Sequence, residues 1–310
     1  MESIDMYAFS GSTIRNFTIP KSLKYLNYSA FFKAMNIERF EIEEGNTKYK
    51  VVDDILFTID GETLYLYPSG KKDLTCVISE GVKTIGGWSF AGNEFLKEVT
   101  IPKSLTTIGG SAFYSTSELE TVNISDDSEL TTILESAFIY TKITTFKITE
   151  KVSYIYGGAL AADNLINYEV SENNSVYKEI DGVIHSKDGK AIIAYPPGRT
   201  GTYTIVDGTE KILREAFEYS KLDTVTIPTS VYEIEMLGLG YTYFKYLIIP
   251  STVSKMGNWA VEAAYNTTLN VFVELTEKPS TWSWKWAAEN VTVYYKPNWE
   301  IVDGVPQPIP

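Results

Sequence analysis

Apolar residues recur along this chain in one fixed frame. A representative copy has a first apolar run, Leu105-Thr-Thr-Ile108, then the pair Ala112-Phe113, then a second run, Leu119-Glu-Thr-Val122-Asn-Ile124. Self-similarity with a period of about 20–29 residues is typical of leucine-rich repeats, in which each copy forms one coil of a solenoid. We count about nine coils of 22–25 residues, because the last residue of the first run recurs at Ile85, Ile108, Ile133 and Ile155 and at matching positions elsewhere.

Each copy is expected to form a short strand, a turn and a second short segment. The alternation at the end of the second run, as in Val99-Thr-Ile101, predicts a strand with one buried face. Proline next to it, as at Pro102, ends that strand. The aromatic residue of the frame, Phe113 in one copy and Phe138 in the next, is expected to fill the middle of the coil. The predicted fold class is therefore mostly β with short irregular or helical segments, in a leucine-rich-repeat solenoid.

Because one coil cannot bury its own faces, the coils must stack on one another. We therefore predict a single solenoid domain over residues 1–310, with a C-terminal capping segment at about 269–300 and a Pro-rich tail at 305–310. The incomplete first coil and this tail both suggest a piece of a longer protein.

Two insertions interrupt the repeat, at 44–71 and at 172–199. They align without a gap at a shift of 128, which pairs Asn46 with Asn174. Asp60-Gly61 and Asp188-Gly189 each stand between two apolar runs, a pattern that predicts a β-hairpin. The hairpins are interpreted either as structural flaps on the coil edge or as loops that frame a binding surface.

The frame from Leu105 to Ile124 resembles the BspA-like leucine-rich-repeat family of bacterial surface proteins. The resemblance covers nearly the whole chain, and departs from the family pattern at Leu160 and Leu239, where Phe is usual. It implies an extracellular or cell-surface location, although no signal peptide precedes the repeats. It also implies adhesion to host proteins as the role attributed to relatives.

The negative net charge of the chain disfavours some classes of partner. The chain of 310 residues has a formal net charge of −13, which disfavours binding to nucleic acid and to anionic membranes. No apolar run approaches the roughly 18 residues of a membrane-spanning helix, so we expect no membrane insertion by this chain.

Residues that commonly carry chemistry are few. His185 is the only histidine, and at the shift of 128 it aligns with Phe57, which indicates a packing position. Cys76 is the only cysteine, so no disulfide can form within the chain, and its alignment with Thr204 predicts an inert, half-buried thiol.

Other motifs point to structure. Asp53 and Asp60, like Asp181 and Asp188, lack the dense acidic spacing of an EF-hand and are interpreted as turn residues. No zinc-type spacing or phosphate-binding glycine motif is present, and no two carboxylates are placed as a glycosidase pair would be. We therefore predict no enzyme activity, no catalytic residues, no cofactor and no metal.

What remains is a surface. The long strands expose alternate, mostly short and polar residues, which suit a broad contact with a protein or glycan rather than a small-molecule pocket. We predict a non-catalytic binding or adhesion module, with host extracellular-matrix components among the candidate partners. The alternative is a passive stalk or a non-catalytic part of a larger surface enzyme. The predicted contact residues are Tyr246, Ile248, Thr224, Thr226, Asn167 and Glu169.

The C-terminal end of this surface has two interpretations. Exposed Tyr246 and Ile248 would form the centre of a binding patch, because aromatic residues are enriched at interface hot spots. Alternatively, the segment that contains Trp282, Trp284 and Trp286 folds over both residues as the cap that a solenoid end requires.

Overall fold

The computed structural model describes residues 1–309 and divides the chain into two compact units. The first unit contains residues 1–164 and 170–175, and the second contains residues 165–169 and the chain from 176 onward. About 35% of the residues lie in strands, and the described residues contain no helix. The non-strand parts of the coils, expected to be irregular or helical, are turns. The single domain over 1–310 stays a prediction.

The strands of the first unit follow the repeat. They are β1 (Ser3–Ile4), β2 (Asn16–Ile19), β3 (Tyr25–Leu26), β4 (Arg39–Ile42), β5 (Tyr49–Val52), β6 (Ile55–Thr58), β7 (Thr63–Leu66), β8 (Thr75–Val77), β9 (Thr84–Ile85), β10 (Glu98–Thr100), β11 (Thr107–Ile108), β12 (Thr121–Asn123), β13 (Thr132–Ile133), β14 (Thr145–Ile148) and β15 (Tyr154–Ile155).

The remaining strands begin in the second unit. They are β16 (Asn167–Val170), β17 (Tyr177–Ile180), β18 (Val183–Ser186), β19 (Ala191–Ala194), β20 (Gly201–Thr204), β21 (Lys211–Ile212), β22 (Leu222–Thr226), β23 (Glu233–Ile234), β24 (Leu239–Thr242), β25 (Tyr246–Ile249), β26 (Lys255–Met256), β27 (Val261–Ala263), β28 (Leu269–Val273), β29 (Val291–Tyr295), β30 (Trp299–Val302) and β31 (Val305–Pro308).

Consecutive coils pair in parallel and in register. In the first unit the short strands β9, β11 and β13 align Ile85, Ile108 and Ile133, all fully buried. The longer strands β8, β10 and β12 form a second parallel sheet. Each strand therefore finds its backbone partners in the neighbouring coils, which is why a single coil is not a stable structure.

The central aromatic residues stack in a column, as the repeat alignment predicts. Phe113 lies between Phe90 and Phe138, with ring centroids 4.7 and 5.1 Å apart and the planes nearly parallel. All three side chains are fully buried. Tyr67 extends the column at 4.7 Å from Phe90, and in the second unit Tyr195 stacks on Phe217 at 4.9 Å.

The two insertions are more than hairpins. Each contains three antiparallel strands, β5–β6–β7 in the first unit and β17–β18–β19 in the second. The third strand of each also pairs in parallel with the short strand of the next coil, β7 with β9 and β19 with β21. It is therefore a coil strand itself. The solenoid has about 13 turns, more than the nine coils counted from the frame.

The alignment of the two insertions also changes beyond residue 199. Cys76 is buried on β8 opposite Val99, and the buried residue at the same place on β20 is Tyr203, opposite Val225. The shift is therefore 127 at this point (203 − 76), and the alignment of Cys76 with Thr204 is wrong. A slip of one residue exchanges the two faces of a strand, which is why Thr204 is exposed.

Within each unit the long strands form several short sheets and not one uninterrupted sheet. The Phe40 amide of β4 donates to the carbonyl of Asp54, in the turn of the first insertion. The Tyr168 amide of β16 likewise donates to Gly182 in the second insertion. These turns take hydrogen bonds that a neighbouring coil would otherwise take. In the second unit the long-strand sheets are β20–β22 and β25–β28–β29.

The C-terminal segment contributes two parts to the end of the second unit, buried tryptophans in the core and a hairpin beyond them. Trp282 and Trp286 are buried against its hydrophobic core, and Trp282 bridges to Met256. Beyond them, β30 and β31 form an antiparallel hairpin. The residues predicted as a Pro-rich tail thus supply a strand, in which Pro306 is buried. Proline is tolerated there because an edge strand does not need every amide.

Candidate binding surfaces

Four of the six predicted contact residues lie together on neighbouring strands of the second unit. Thr224 and Thr226 belong to β22, and Tyr246 and Ile248 to β25, which lies beside β22. The Thr224 hydroxyl donates to the Tyr246 carbonyl over 2.9 Å. We use the name second-unit face for the outward residues of five strands, which are Thr202, Thr204, Thr224, Thr226, Tyr246, Ile248, Asn270, Phe272, Thr292 and Tyr294.

The chemistry of the second-unit face changes from one end to the other. On β20 and β22 it presents paired threonines in register, Thr202 beside Thr224 and Thr204 beside Thr226. Further along, Ile248 is in register with Phe272 of β28, and Phe272 with Tyr294 of β29. One row therefore passes from hydroxyl groups to aliphatic and aromatic side chains.

The aromatic end of this row is covered by a residue that the sequence did not single out. Trp299 lies 5.5 Å from Phe272, and both are almost fully buried, with 3% and 2% exposed. The Trp299 indole donates to the Val273 carbonyl over 2.8 Å, and the Lys296 ammonium lies 3.6 Å from its ring centroid. The expected cover by Trp282, Trp284 and Trp286 does not form, since two of these are internal and Trp284 is 80% exposed.

Tyr246 and Ile248 lie between the paired threonines of β20 and β22 and the aromatic residues that Trp299 covers. Both are half-buried, flanked by threonines on β22 and by β28 on the other side. Neither the fully capped nor the fully exposed interpretation describes them. Their assignment as contact residues stays a prediction.

The other two predicted residues, Asn167 and Glu169, lie apart on β16. The Asn167 carboxamide and the Arg199 guanidinium fill the space beside Gly182, in the turn of the second insertion. Arg199 holds that turn by donating to the carbonyls of Ile166 and Asp181 over 2.7 and 2.8 Å. Asn167 is consequently half-buried, and only Glu169 is exposed.

His185 is where the packing interpretation places it. Its ring is completely buried, at the strand position of β18 that Phe57 occupies in β6. Nδ1 lies 3.1 Å from the Val183 carbonyl, whereas Nε2 is buried without a hydrogen-bond partner among residues 1–309. Burial lowers the pKa of His185 below its ordinary value, and nearby Lys178 acts in the same direction.

Cys76 is more deeply buried than expected, with 8% of its surface exposed. Burial raises the pKa of its thiol to about 12, and the neighbouring Asp73 acts in the same direction. Because only the thiolate is a good nucleophile, the thiol is unreactive near neutral pH.

One carboxyl group of the second unit is strongly perturbed. Burial raises the pKa of Glu218 to about 8, and the adjacent Glu215 adds to the effect while Arg214 opposes it. Perturbed carboxyls occur at active sites but also in structural networks. No group of three His, Cys, Asp or Glu residues in the described part of the chain could hold a metal ion. The expected lack of catalytic, cofactor-binding and metal-binding residues stays a prediction.

An aromatic row on the turns of the first unit was not foreseen. Tyr7, Phe32, Trp88, Tyr114 and Tyr140 contact one another in that order, with ring centroids 5.0 to 5.6 Å apart. Tyr7 and Tyr140 are exposed and the other three are half-buried. These residues occupy different positions of the frame, for example two before Phe90 and one after Phe113, so periodicity alone does not reveal the row.

The parallel coils, the central aromatic column and the repeating frame define a leucine-rich-repeat solenoid. The chain belongs to the family described as the BspA type leucine rich repeat region, which matches in six copies over residues 1–57, 70–180 and 201–278. This confirms the resemblance. The stretches left unmatched between these segments, 58–69 and 181–200, lie within the two insertions except for residue 200.

Solved structures show the same fold. A pneumococcal vaccine antigen, PcpA, superimposes with a TM-score of 0.55 at 20% identity, over 95% of this chain and 79% of that one. A leucine rich cell surface protein from Faecalibacterium prausnitzii A2-165 gives 0.57 at 19% identity, over 96% and 83%. Comparison with curated proteins found no match. Residues 1–309 contain no helix long and apolar enough to cross a membrane.

Proposed function

We propose that this protein is a non-catalytic binding module, displayed at a bacterial surface or secreted, which contacts its partner through the second-unit face. The observation that carries the proposal is the passage from paired threonines to half-buried Tyr246 and Ile248 on neighbouring, rigid strands. Such a face combines hydroxyl groups that adapt to hydrogen-bonding partners with apolar area at one end.

The extent of this face over five strands favours a protein partner over a small molecule. Small-molecule sites are concave, whereas protein contacts form on broad surfaces with a few dominant aromatic residues. Tyr246 is the proposed centre, Thr224 and Thr226 the polar surround, and Glu169 with half-buried Asn167 the rim. A glycan remains the second partner class, and host extracellular-matrix components are the first candidates of both classes.

The outward polar side chains on the long strands of the first unit bond to one another: Thr18 donates to Glu41 over 3.1 Å, and Asn123 donates to Glu98 over 2.6 Å. On the second-unit face Thr224 bonds to a backbone carbonyl, that of Tyr246. Groups already paired within the chain have less to gain from a partner. Family membership and the likeness to a cell surface protein support the proposed location, and adhesion is the role we propose there.

A binding assay against immobilised extracellular-matrix proteins and a glycan array tests this function. Tyr246→Ala should keep the melting temperature nearly unchanged and weaken binding at least about fivefold, since truncation of a hot-spot residue costs over about 1 kcal/mol. The matched control is Tyr154→Ala, which removes a tyrosine that is 50% exposed on the first unit. Binding by the control should equal that of the unsubstituted chain.

Two results would overturn the proposal. Equal binding by the unsubstituted chain and by Tyr246→Ala, with Thr226→Arg also without effect, would place the contact elsewhere. A chain that binds no matrix protein and no glycan would favour a passive stalk or a non-catalytic part of a larger surface enzyme.

A further inference from the structure

A groove near the C-terminal end of the second unit lies outside the second-unit face. It has a volume of about 600 Å³, and Trp259, Glu262, Trp284, Lys285 and Glu289 are among its lining residues. This volume falls within the range of about 300–1,000 Å³ that is usual for small-ligand sites.

The two groove tryptophans differ from the tryptophans that pack the core. The indole N–H of buried Trp282 donates to the Val253 carbonyl, and that of Trp299 donates to Val273. Trp259 and Trp284 are 39% and 80% exposed, and their indole N–H groups have no hydrogen-bond partner among residues 1–309. Two large exposed aromatic rings in one concave place are not explained by packing.

The backbone and one lysine hold the two rings in place. The Trp259 amide donates to the Lys285 carbonyl over 2.6 Å, which joins the last two coils at the groove. The Lys285 ammonium lies 5.4 Å from the Trp259 ring centroid and 4.5 Å from that of Trp284. Contacts within about 6 Å of a ring are attractive cation–π interactions. The groove is therefore organised before any ligand arrives.

Its charged groups are available to a ligand. Among residues 1–309, the side chains of Glu262, Lys285 and Glu289 form no ion pair and no hydrogen bond. Partial burial raises the pKa of Glu262. Lys285 offers N–H donors and the two carboxyl groups offer acceptors, so that both halves of a hydroxyl group can be matched.

From this arrangement we infer that the groove binds a neutral oligosaccharide. The apolar C–H face of a sugar ring would stack on Trp284, and its hydroxyl groups would bond to Lys285, Glu262 and Glu289. A phosphate or sulfate is disfavoured because two carboxylates face the same space as the single lysine. A cationic ligand is disfavoured because the Lys285 ammonium already lies over one face of each ring and would repel a second cation, whereas the other face of the 80% exposed Trp284 ring is open to a sugar.

Titration with neutral oligosaccharides tests this inference. The probes are oligomers of glucose, mannose, galactose, xylose and N-acetylglucosamine, measured by tryptophan fluorescence and calorimetry. The unsubstituted chain should bind at least one of them. Trp284→Ala should weaken that binding at least tenfold, and Lys285→Met should weaken it several-fold. Tyr265→Ala is the control, because it removes an aromatic residue that is 88% exposed and outside the groove lining.

The result does not depend on the proposed function, because Tyr246→Ala should leave oligosaccharide binding unchanged. Unchanged far-ultraviolet circular dichroism must accompany the loss in Trp284→Ala. If that variant is unstable, Trp284→Tyr should retain a measurable part of the affinity. The inference is overturned if no neutral oligosaccharide binds, if only anionic glycans bind, or if Trp284→Ala binds as well as the control.

Discussion

At the residue scale, the polar ring of His185 occupies the buried strand position that Phe57, an apolar aromatic residue, occupies in the first unit. Its Nε2 is buried without a hydrogen-bond partner among residues 1–309, and an unsatisfied buried polar atom costs about 1–3 kcal/mol. His185→Phe should therefore raise the free energy of unfolding, or at least leave it unchanged, when it is measured in denaturant at pH 7. The reverse change in the first unit, Phe57→His, should lower it. Loss of stability or of a bound ligand in His185→Phe would contradict the packing interpretation.

The same histidine should make stability depend on pH. Its pKa is lowered in the folded chain, whereas in the unfolded chain it binds a proton near pH 6.5. The unfolded state therefore holds more protons as the pH falls below about 6.5, and stability is lost in that direction until the folded pKa is reached. In His185→Phe this part of the acid sensitivity should be absent.

Glu218 should make stability depend on pH in the opposite direction. Its pKa of about 8 exceeds the ordinary value of 4.5, so the folded chain keeps the proton longer than the unfolded chain. The stabilising difference is complete below about pH 4.5 and is lost as the pH rises through 8. Glu218→Gln should thus match the unsubstituted chain at pH 4 and exceed its stability by several kcal/mol at pH 9, since each unit of pKa shift corresponds to about 1.4 kcal/mol. Chemical unfolding at both pH values measures the difference, and equal curves at pH 9 would disprove it.

At the element scale, the aromatic column tests the repeat frame. Phe113→Ala removes a fully buried ring with aromatic neighbours on both sides, so unfolding should become about 3–5 kcal/mol easier in denaturant. Phe113→Leu is the control and should cost less, since Leu239 fills the equivalent position in the second unit. If the alanine variant lost less than about 1 kcal/mol of unfolding free energy, Phe113 would not contribute to core packing as its stacked position implies.

The elements that the sequence predicted correctly are those marked by the repeat spacing or by a turn motif. The spacing of Ile85, Ile108 and Ile133 places them in register, and the Asp60-Gly61 turn places a hairpin between β6 and β7. The third strand of each insertion was predicted as an arm of the hairpin, but its parallel pairing with the next coil was missed, because apolar residues mark a hairpin arm and a coil strand equally. The first strands, β5 and β17, were not predicted. The slip from 128 to 127 was missed because polar residues such as Thr204 are compatible with either face.

The exposure of the six predicted contact residues could be predicted only in part, for physical reasons. Alternation along β22 and β25 correctly placed Thr224, Thr226, Tyr246 and Ile248 on outward positions. It could not show that the turn at Gly182 covers Asn167, since that depends on how the insertion folds back. Nor could it distinguish internal Trp282 from exposed Trp284, two residues apart.

At the scale of the whole molecule, many charged side chains are paired with one another. Several lysines pair with a carboxylate one coil away, as do Lys24 with Glu2 and Lys245 with Asp223, each at 2.9 Å. Exposed pairs of this kind contribute little to stability. The second-unit face differs from these charged surfaces, because threonines and Tyr246 predominate there.

The proposal that this face is the contact surface can be tested by blocking it directly. Thr226→Cys introduces an exposed thiol, whereas native Cys76 is buried with its pKa raised to about 12 and should not react. Coupling of a maleimide-linked polyethylene glycol to residue 226 should abolish binding to the matrix protein or glycan found in the binding assay. The same label on Thr121→Cys, exposed in the first unit, should leave binding intact. Full binding by the chain labelled at residue 226 would contradict the account.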